Sequence, residues 1–412
     1  MVNKILENPK LTIIVPTRER ADTLKHTIES LVAQDYSNLE ILISDNFSQD
    51  CTKEIVDSFS DTRIRYINTG KRVSMSDNWE FALNYASGEF ITYIGDDDGF
   101  MLGSVSKIMN LIMEKNVDAV AWQKIEYCWP NYIQENMRNW FSIKRFDNSL
   151  ELIKSDKKLK KVMKFHESYT KLPCLYNSVV NASKIKELKG LSKTGSFFNS
   201  ISPDVFSGIV LSKVIDRYIF SQYPFSINGA SKHSNGTSLI KQSSSEKNTP
   251  AEKFRLENSL IYDSRLQPAP SVALCVMGEY LFAKESFPLI VFAEPNWRAY
   301  LKALIRNAHF SCFPNDLLES AKHTSNMLTM NFNVPINIEP ITEFKVQNGF
   351  NKESFDFTVP ENMVSNVNDA VRLLDGMLPL LLTSNEVSPI KRFLNRMYEV
   401  VIVEAKNLYK SL

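Results

Sequence analysis

Between residues 11 and 123, short β-branched apolar runs alternate with stretches of helical period. Leu11 to Pro16, Leu39 to Ser44, Arg63 to Ile67, Phe90 to Ile94 and Asp118 to Gln123 read as strands. Runs this apolar suit strands buried on both faces. Leu24, Ile28, Leu31 and Val32 share one face of the first intervening helix. This alternation predicts an α/β fold with a mixed, mostly parallel sheet flanked by helices. Ligands of such sheets bind beyond the carboxyl ends of the strands. Polar residues cluster at three of those ends: Thr17-Arg18-Glu19, Asp45-Asn46 and Asp96-Asp97-Asp98. One crevice is expected to collect all three.

The chain has 412 residues, which is comfortable for two domains. Its net charge of +1 gives no global pull toward nucleic acid. The cysteines, Cys51, Cys128, Cys174, Cys275 and Cys312, are scattered and form no C-x-x-C pair. That argues against a disulfide scaffold or a zinc site. Met1 to Lys10 is polar and lacks the apolar stretch of a signal peptide. No run of about 18 apolar residues suggests a spanning helix. A cytoplasmic location is the expectation. Lys241 to Pro250 is a polar linker candidate, separating residues 1–240 from a mainly α-helical region, 251–412. The first part divides at about residue 125 into a nucleotide-binding half, 10–125, and an acceptor half, 126–240. The strand-Pro-Thr start and the aspartate cluster occur once, so the chain is not a tandem repeat.

Three consecutive aspartates at the end of a buried strand repel one another and raise one another's pKa. A hard divalent cation, Mg²⁺ or Mn²⁺, removes that cost and leaves positions for substrate phosphates. An exposed acidic turn between Gly95 and Gly99 is the plainer alternative, but the apolar strand before it argues for a site. Asp45 ends a strand, where its carboxylate could accept a hydrogen bond from a base or a ribose. Pro16, Thr17 and Arg18 can bring backbone groups and a guanidinium to a nucleotide. Asp204, after Ser202-Pro203, is the candidate general base for an acceptor hydroxyl, although Asp after Pro is also a routine helix start. His233 lies in a Gly/Ser/Asn-rich loop and is a candidate metal ligand. Trp122 opens an aromatic stretch that could line a sugar pocket, or simply pack in the core. Lys391 to Val401 is basic and amphipathic, suited either to an anionic membrane surface or to packing on its own domain.

These residues resemble a known family. Ile13-Ile-Val-Pro-Thr-Arg18-Glu-Arg is similar to the opening strand of glycosyltransferase family 2, which has the GT-A fold. Ser30-Leu-Val-Ala-Gln34-Asp-Tyr36 resembles its S-L-x-x-Q-x-Y helix end. Asp45-Asn-Phe-Ser48-Gln-Asp50 resembles its D-N-x-S-x-D turn. Asn78 with Ala86-Ser-Gly88-Glu-Phe-Ile91 resembles its approach to the metal motif, and Asp96-Asp97-Asp98 falls where the family places its D-x-D element. Many members read Leu-Asp-x-Asp-Asp there, whereas Gly95 holds the first acidic position here. The working pair is therefore Asp96 with Asp98, or Asp97 binds the metal while Asp96 holds the ribose; of the three, Asp97 and Asp98 rank ahead as metal ligands.

The resemblance covers residues 10 to 105 and implies an inverting sugar transfer. It implies a nucleotide-sugar donor, UDP-linked by default, bound by Pro16, Thr17, Arg18, Glu19, Asp45, Asn78, Asp96, Asp97 and Trp122. Asp96, Asp97, Asp98 and His233 would serve Mn²⁺ or Mg²⁺, and Asp204 the acceptor hydroxyl. By analogy with cytosolic members the acceptor is a glycan or lipid-linked glycan of bacterial surface polysaccharide synthesis, with peripheral membrane contact through the C-terminal basic helix. A sugar nucleotidyltransferase is disfavoured by the glycine-free loop after the first strand. A receiver domain is disfavoured by size, and a non-catalytic glycan binder by retention of the acidic residues.

Overall fold

The computed structural model describes residues 8–234, 257, 261–340, 349–350 and 354–383. The first half follows the expected alternation: β1 (Leu11–Thr17), α1 (Ala21–Val32), β2 (Leu39–Asp45), α2 (Thr52–Asp57), β3 (Ile64–Asn68), α3 (Met75–Tyr85) and β4 (Phe90–Tyr93). Then come β5 (Gly99–Phe100), α4 (Ser104–Lys115) and a long β6 (Ala119–Cys128). Caps explain several boundaries. The Ser74 hydroxyl accepts the Asp77 N–H and starts α3. Asp50 accepts the Thr52 N–H at the start of α2 and also the Ala21 N–H of α1.

The strands β3, β2, β1 and β4 pair in parallel in that spatial order. Register aligns Thr17 with Asp45 and Asp45 with Asn68, so the polar strand ends form one row. Beyond β4 the sheet turns antiparallel. Strand β9 (Ser178–Asn181) inserts between β4 and β6, and β7 (Trp140–Lys144) follows β6. Strand β10 (Arg217–Ala230) runs parallel to β6 and also pairs with β5 and β8 (Leu150–Lys154). Alternating residues feed two cores. Ile13, Val15, Ile41 and Ile43 pack with Leu24 and Ile28 of α1 and Ile108 of α4. Ile14 and Leu42 face the other way, toward Trp79 of α3.

Helices α5 (Ser155–Val162), α6 (Ala182–Leu191) and α7 (Pro203–Leu211) cover that second face. So do two of the later helices, α8 (Val272–Ser286) and α9 (Trp297–Ala308), and α10 (Pro314–Met327) packs against α9. The later residues therefore share a core with the sheet. Residues 261–263 are not helical, and most of 251–260, the 241–250 linker and the basic segment from Lys391 lie outside the described residues. Residues 349–350 and 354–383 return to the sheet. Strand β12 (Ser354–Thr358) pairs with β7 and with β11 (Gly349–Phe350), and α11 (Val367–Thr383) packs on α1. No helix among the described residues is long and apolar enough to cross a membrane.

The return of β12 can be tested. Phe357 is 4 % exposed and stacks on Phe141 of β7 at 4.8 Å. Phe357→Ala should lower stability by about 3–5 kcal/mol, the cost of emptying an aromatic core site. Urea denaturation checks this; an unchanged midpoint would show that β12 does not hold the sheet together.

Candidate functional site

A cavity of about 750 Å³ opens beyond the carboxyl ends of β1, β2 and β4. Pro16, Thr17, Arg18, Glu19, Asn78, Asp96, Asp97, Asp204 and His233 all line it. Residues from distant parts of the chain therefore meet as the strand ends suggested. The loop after β1 is sharply turned. Glu19 takes a left-handed backbone, φ +54°, and both arginines beside it face the cavity.

The three aspartates have separate environments. Asp96 accepts hydrogen bonds from Thr17 Oγ1 at 2.8 Å and from the Arg20 guanidinium at 2.7 Å. Burial pushes its pKa up, and the Arg20 charge opposes that rise. Arg20 also donates to the backbone carbonyl of His233, which ties the loop after β10 to the loop after β1. Asp97 accepts from the hydroxyls of Ser231, at 2.9 Å, and Ser234, at 2.6 Å. Asp98 does not line the cavity. Its oxygens accept the Gly229 N–H at 2.7 Å and the Gly95 N–H at 3.0 Å, and burial raises its pKa to about 7. This turn needs small residues. A methyl group at Gly229 would lie 1.8 Å from the Asp97 carbonyl, and one at Gly95 would lie 2.4 Å from the Tyr176 hydroxyl.

Asp204 sits in the first turn of α7, where Pro203 occupies the start of the helix. The Tyr169 hydroxyl donates to it at 3.3 Å, and burial raises its pKa. His233 has its pKa lowered, first by burial and then by Lys232 and Arg20, so the imidazole is held neutral. Among the described residues no three His, Cys, Asp or Glu side chains form a ready-made metal cage.

Two expected contacts are displaced from the cavity. Trp122 is 1 % exposed, packs between Phe100 and Phe225, and donates to Ser226, so it is a core residue. Asp45 is 1 % exposed and its oxygens are taken by Ser48 N, the Tyr66 hydroxyl and Asn68. Its neighbour Asn46 lines the cavity instead. Asn78 reaches the cavity wall, but its amide is bonded to Ser44 and fastens α3 to β2. Arg18 meets Glu257 at 2.6 Å, as does Arg72, and all three line the cavity.

The sequence reading singled out neither Arg20 nor Lys124. Lys124 lies 4.2 Å from the Tyr176 ring and donates to Asn228 at 2.9 Å. Arg20 was visible as the second arginine of Thr-Arg-Glu-Arg, but only the left-handed turn at Glu19 brings both into one cavity. Lys124 carried no signal beyond its place on a strand.

The Arg20–Asp96 pair is nearly buried, with side chains 16 % and 4 % exposed. Removing one partner of a fully buried pair costs roughly 3–5 kcal/mol; the residual exposure lowers the expectation here to about 2–3 kcal/mol. Arg20→Met should therefore destabilise the protein in urea, and adding Asp96→Asn should recover part of the loss. A double variant no more stable than Arg20→Met would show that the pair is not the source.

The sequence comparisons agree with this geometry. The model of Glycosyl transferase family 2 matches residues 12–171. A "GalNAc(5)-diNAcBac-PP-undecaprenol beta-1,3-glucosyltransferase" of Campylobacter jejuni is 34% identical over 151 residues, 36% of this chain and 47% of that protein. An Escherichia coli "UDP-Glc:alpha-D-GlcNAc-diphosphoundecaprenol beta-1,3-glucosyltransferase" is 30% identical over 107 residues, 26% of this chain and 42% of that protein. The chain thus spans less than half the length of these relatives. The crystal structure of S. aureus TarS 1-349 with UDP-GlcNAc aligns over 81% of this chain and 97% of that one, with 14% identity and a TM-score of 0.45. The sheet is the mixed α/β arrangement expected of the GT-A fold, and residues 12–171 are similar to glycosyl transferase family 2.

Proposed function

We propose that this chain is an inverting, metal-assisted glycosyltransferase that moves a sugar from a UDP-sugar to a hydroxyl of a lipid-linked glycan. The observation that carries the reading is one cavity lined by Asp97, Arg20 and the strand-end loop on one side and by Asp204 on another. The relatives' names support the acceptor class, since both describe glucosyltransferases of undecaprenol-diphosphate glycans. Such acceptors imply work at a membrane surface and a role in bacterial surface polysaccharide synthesis.

In this reading Asp204 accepts the proton of the acceptor hydroxyl as its oxygen attacks the anomeric carbon. The glycosidic bond to the nucleoside diphosphate breaks as the new one forms, which inverts the configuration. A raised pKa makes Asp204 a stronger base than an exposed carboxylate near neutral pH. Arg20, Arg18 and Arg72 line the same cavity and supply positive charge for the departing diphosphate.

The donor set suits Mn²⁺ or Mg²⁺. Asp97 faces the cavity and His233 is neutral, an open site that diphosphate oxygens and water would complete. A cation bound there would offset the negative charge growing on the leaving group. Both oxygens of Asp96 are engaged, by Thr17 and Arg20, and both of Asp98 by backbone N–H groups, whereas the two serine hydroxyls meet Asp97 at Oδ2, which favours Asp97 as the ligand and Asp96 as a ribose contact.

Nucleotide release from a panel of nucleotide sugars, with and without Mn²⁺, tests the proposal. Release confined to UDP-sugars and dependent on Mn²⁺ is expected. Failure to bind any nucleotide sugar would overturn it. Asp204→Asn should lower kcat by about 10²–10⁴-fold, the usual worth of a general base, with UDP affinity unchanged. An equal loss of UDP affinity would remove Asp204 from the base role.

A further inference from the structure

We propose that Glu279, on α8, is a positioning residue for Asp204: it holds the backbone of Ser202 and thereby sets the first turn of α7. This rests on the reading of Asp204 as the base.

The first turn of α7 is unusual in what it lacks. Ser202 precedes Pro203, and its side chain makes no capping bond to α7. Its own backbone N–H lies outside the helix ladder and is buried, so an acceptor must come from elsewhere. Glu279 Oε1 supplies it at 2.9 Å. One turn earlier on the same face of α8, Cys275 Sγ donates to Ser202 Oγ at 3.2 Å. Residues 275 and 279 thus grip Ser202 at backbone and side chain. Gly278 lets Tyr262 close over this contact, since a methyl group there would lie 2.3 Å from the Tyr262 ring. Pro203 has a fixed φ, so a shift of Ser202 passes directly into the direction of Asp204.

A carboxyl is a costly choice for this task unless it is neutral. Glu279 is 0 % exposed. Burial and the nearby Asp204 charge raise its pKa well above the carboxylate range. By strict geometry Oε2 makes no hydrogen bond among the described residues, and neither does the adjacent Ser200 hydroxyl; that hydroxyl and the Ile201 N–H still lie close enough to the carboxyl to oppose part of the rise. A proton on Oε2 makes the carboxyl and the Ser200 hydroxyl complementary. The mechanism above makes no use of Glu279, and an aliphatic side chain would fill its place in the core. What the acid adds is an acceptor aimed at Ser202.

The test compares Glu279→Gln, Glu279→Leu and Glu279→Asp in the full chain, measuring kcat and KM for the active UDP-sugar, UDP affinity with Mn²⁺, and thermal midpoint. Gln keeps the acceptor carbonyl and should hold kcat within about 3-fold of the parent, a small effect beside the loss expected when the group is misplaced. Leu and Asp withdraw the acceptor and should lower kcat by about 10- to 100-fold, the effect of misplacing a reacting group by about 1 Å, with UDP affinity unchanged. If Leu does not fold, the Asp variant decides. Parental kcat in the variants lacking the acceptor, or a parallel loss of kcat and UDP affinity, overturns the positioning role. Asp204→Asn separates the two ideas. If it retains activity, the base reading fails; if it is inactive while Glu279→Leu and Glu279→Asp are normal, only the positioning role fails.

Discussion

Burying three carboxylates at the end of one strand governs much of this structure. Asp96, Asp97 and Asp98 are 3 %, 4 % and 2 % exposed, and each is satisfied differently. Asp96 has Arg20 and Thr17, Asp97 has two serine hydroxyls, and Asp98 has two backbone N–H groups. Apart from the Gly95 N–H of the turn itself, these partners come from the end of β1 and the loop after it, the end of β10 and the residues just beyond it. The aspartate turn can stay buried only if those segments close on it. The close approach is possible because Gly95 and Gly229 have no side chain. Carboxylate solvation and cavity shape are therefore one problem with one solution.

The C-terminal residues extend the same logic. Helix α11 packs Val367 and Val371 on Gly99, directly after the aspartates, and β12 extends the sheet beyond β7. Helix α8 reaches the other side of the cavity through Ser202. Both carboxylate sites are thus braced by segments that carry no recognisable motif. Their contribution is packing and hydrogen bonding behind the cavity wall, where almost any sequence with the right volume and one placed acceptor would serve.

Legibility of the site followed the physics of each residue. The ends of β1, β2 and β4 were readable because an apolar run that stops at polar residues marks a buried strand and its exit. Asp96 and Asp97 line the cavity as that rule expects, and so does Asp204, at its Pro-Asp helix start. Asp45 and Asp98 look identical to them in sequence, yet both are consumed inside the fold by N–H and O–H donors. Trp122 reads as a cavity aromatic but lies with the apolar residues between the sheet and α4. Strand β9 was missed because it is short, and its antiparallel insertion between β4 and β6 leaves no local pattern.

By itself the sequence determined the alternation, the strand ends and the presence of an acidic cluster there, since burial periodicity and turn chemistry are local. Which carboxylate faces the cavity, which arginine accompanies it and what holds Asp204 were decided by tertiary structure. Those outcomes depend on donors supplied from segments up to 137 residues away, as with Ser234 and Asp97. A local pattern shows that a polar group is present, but only the folded chain determines whether its lone pairs are already occupied.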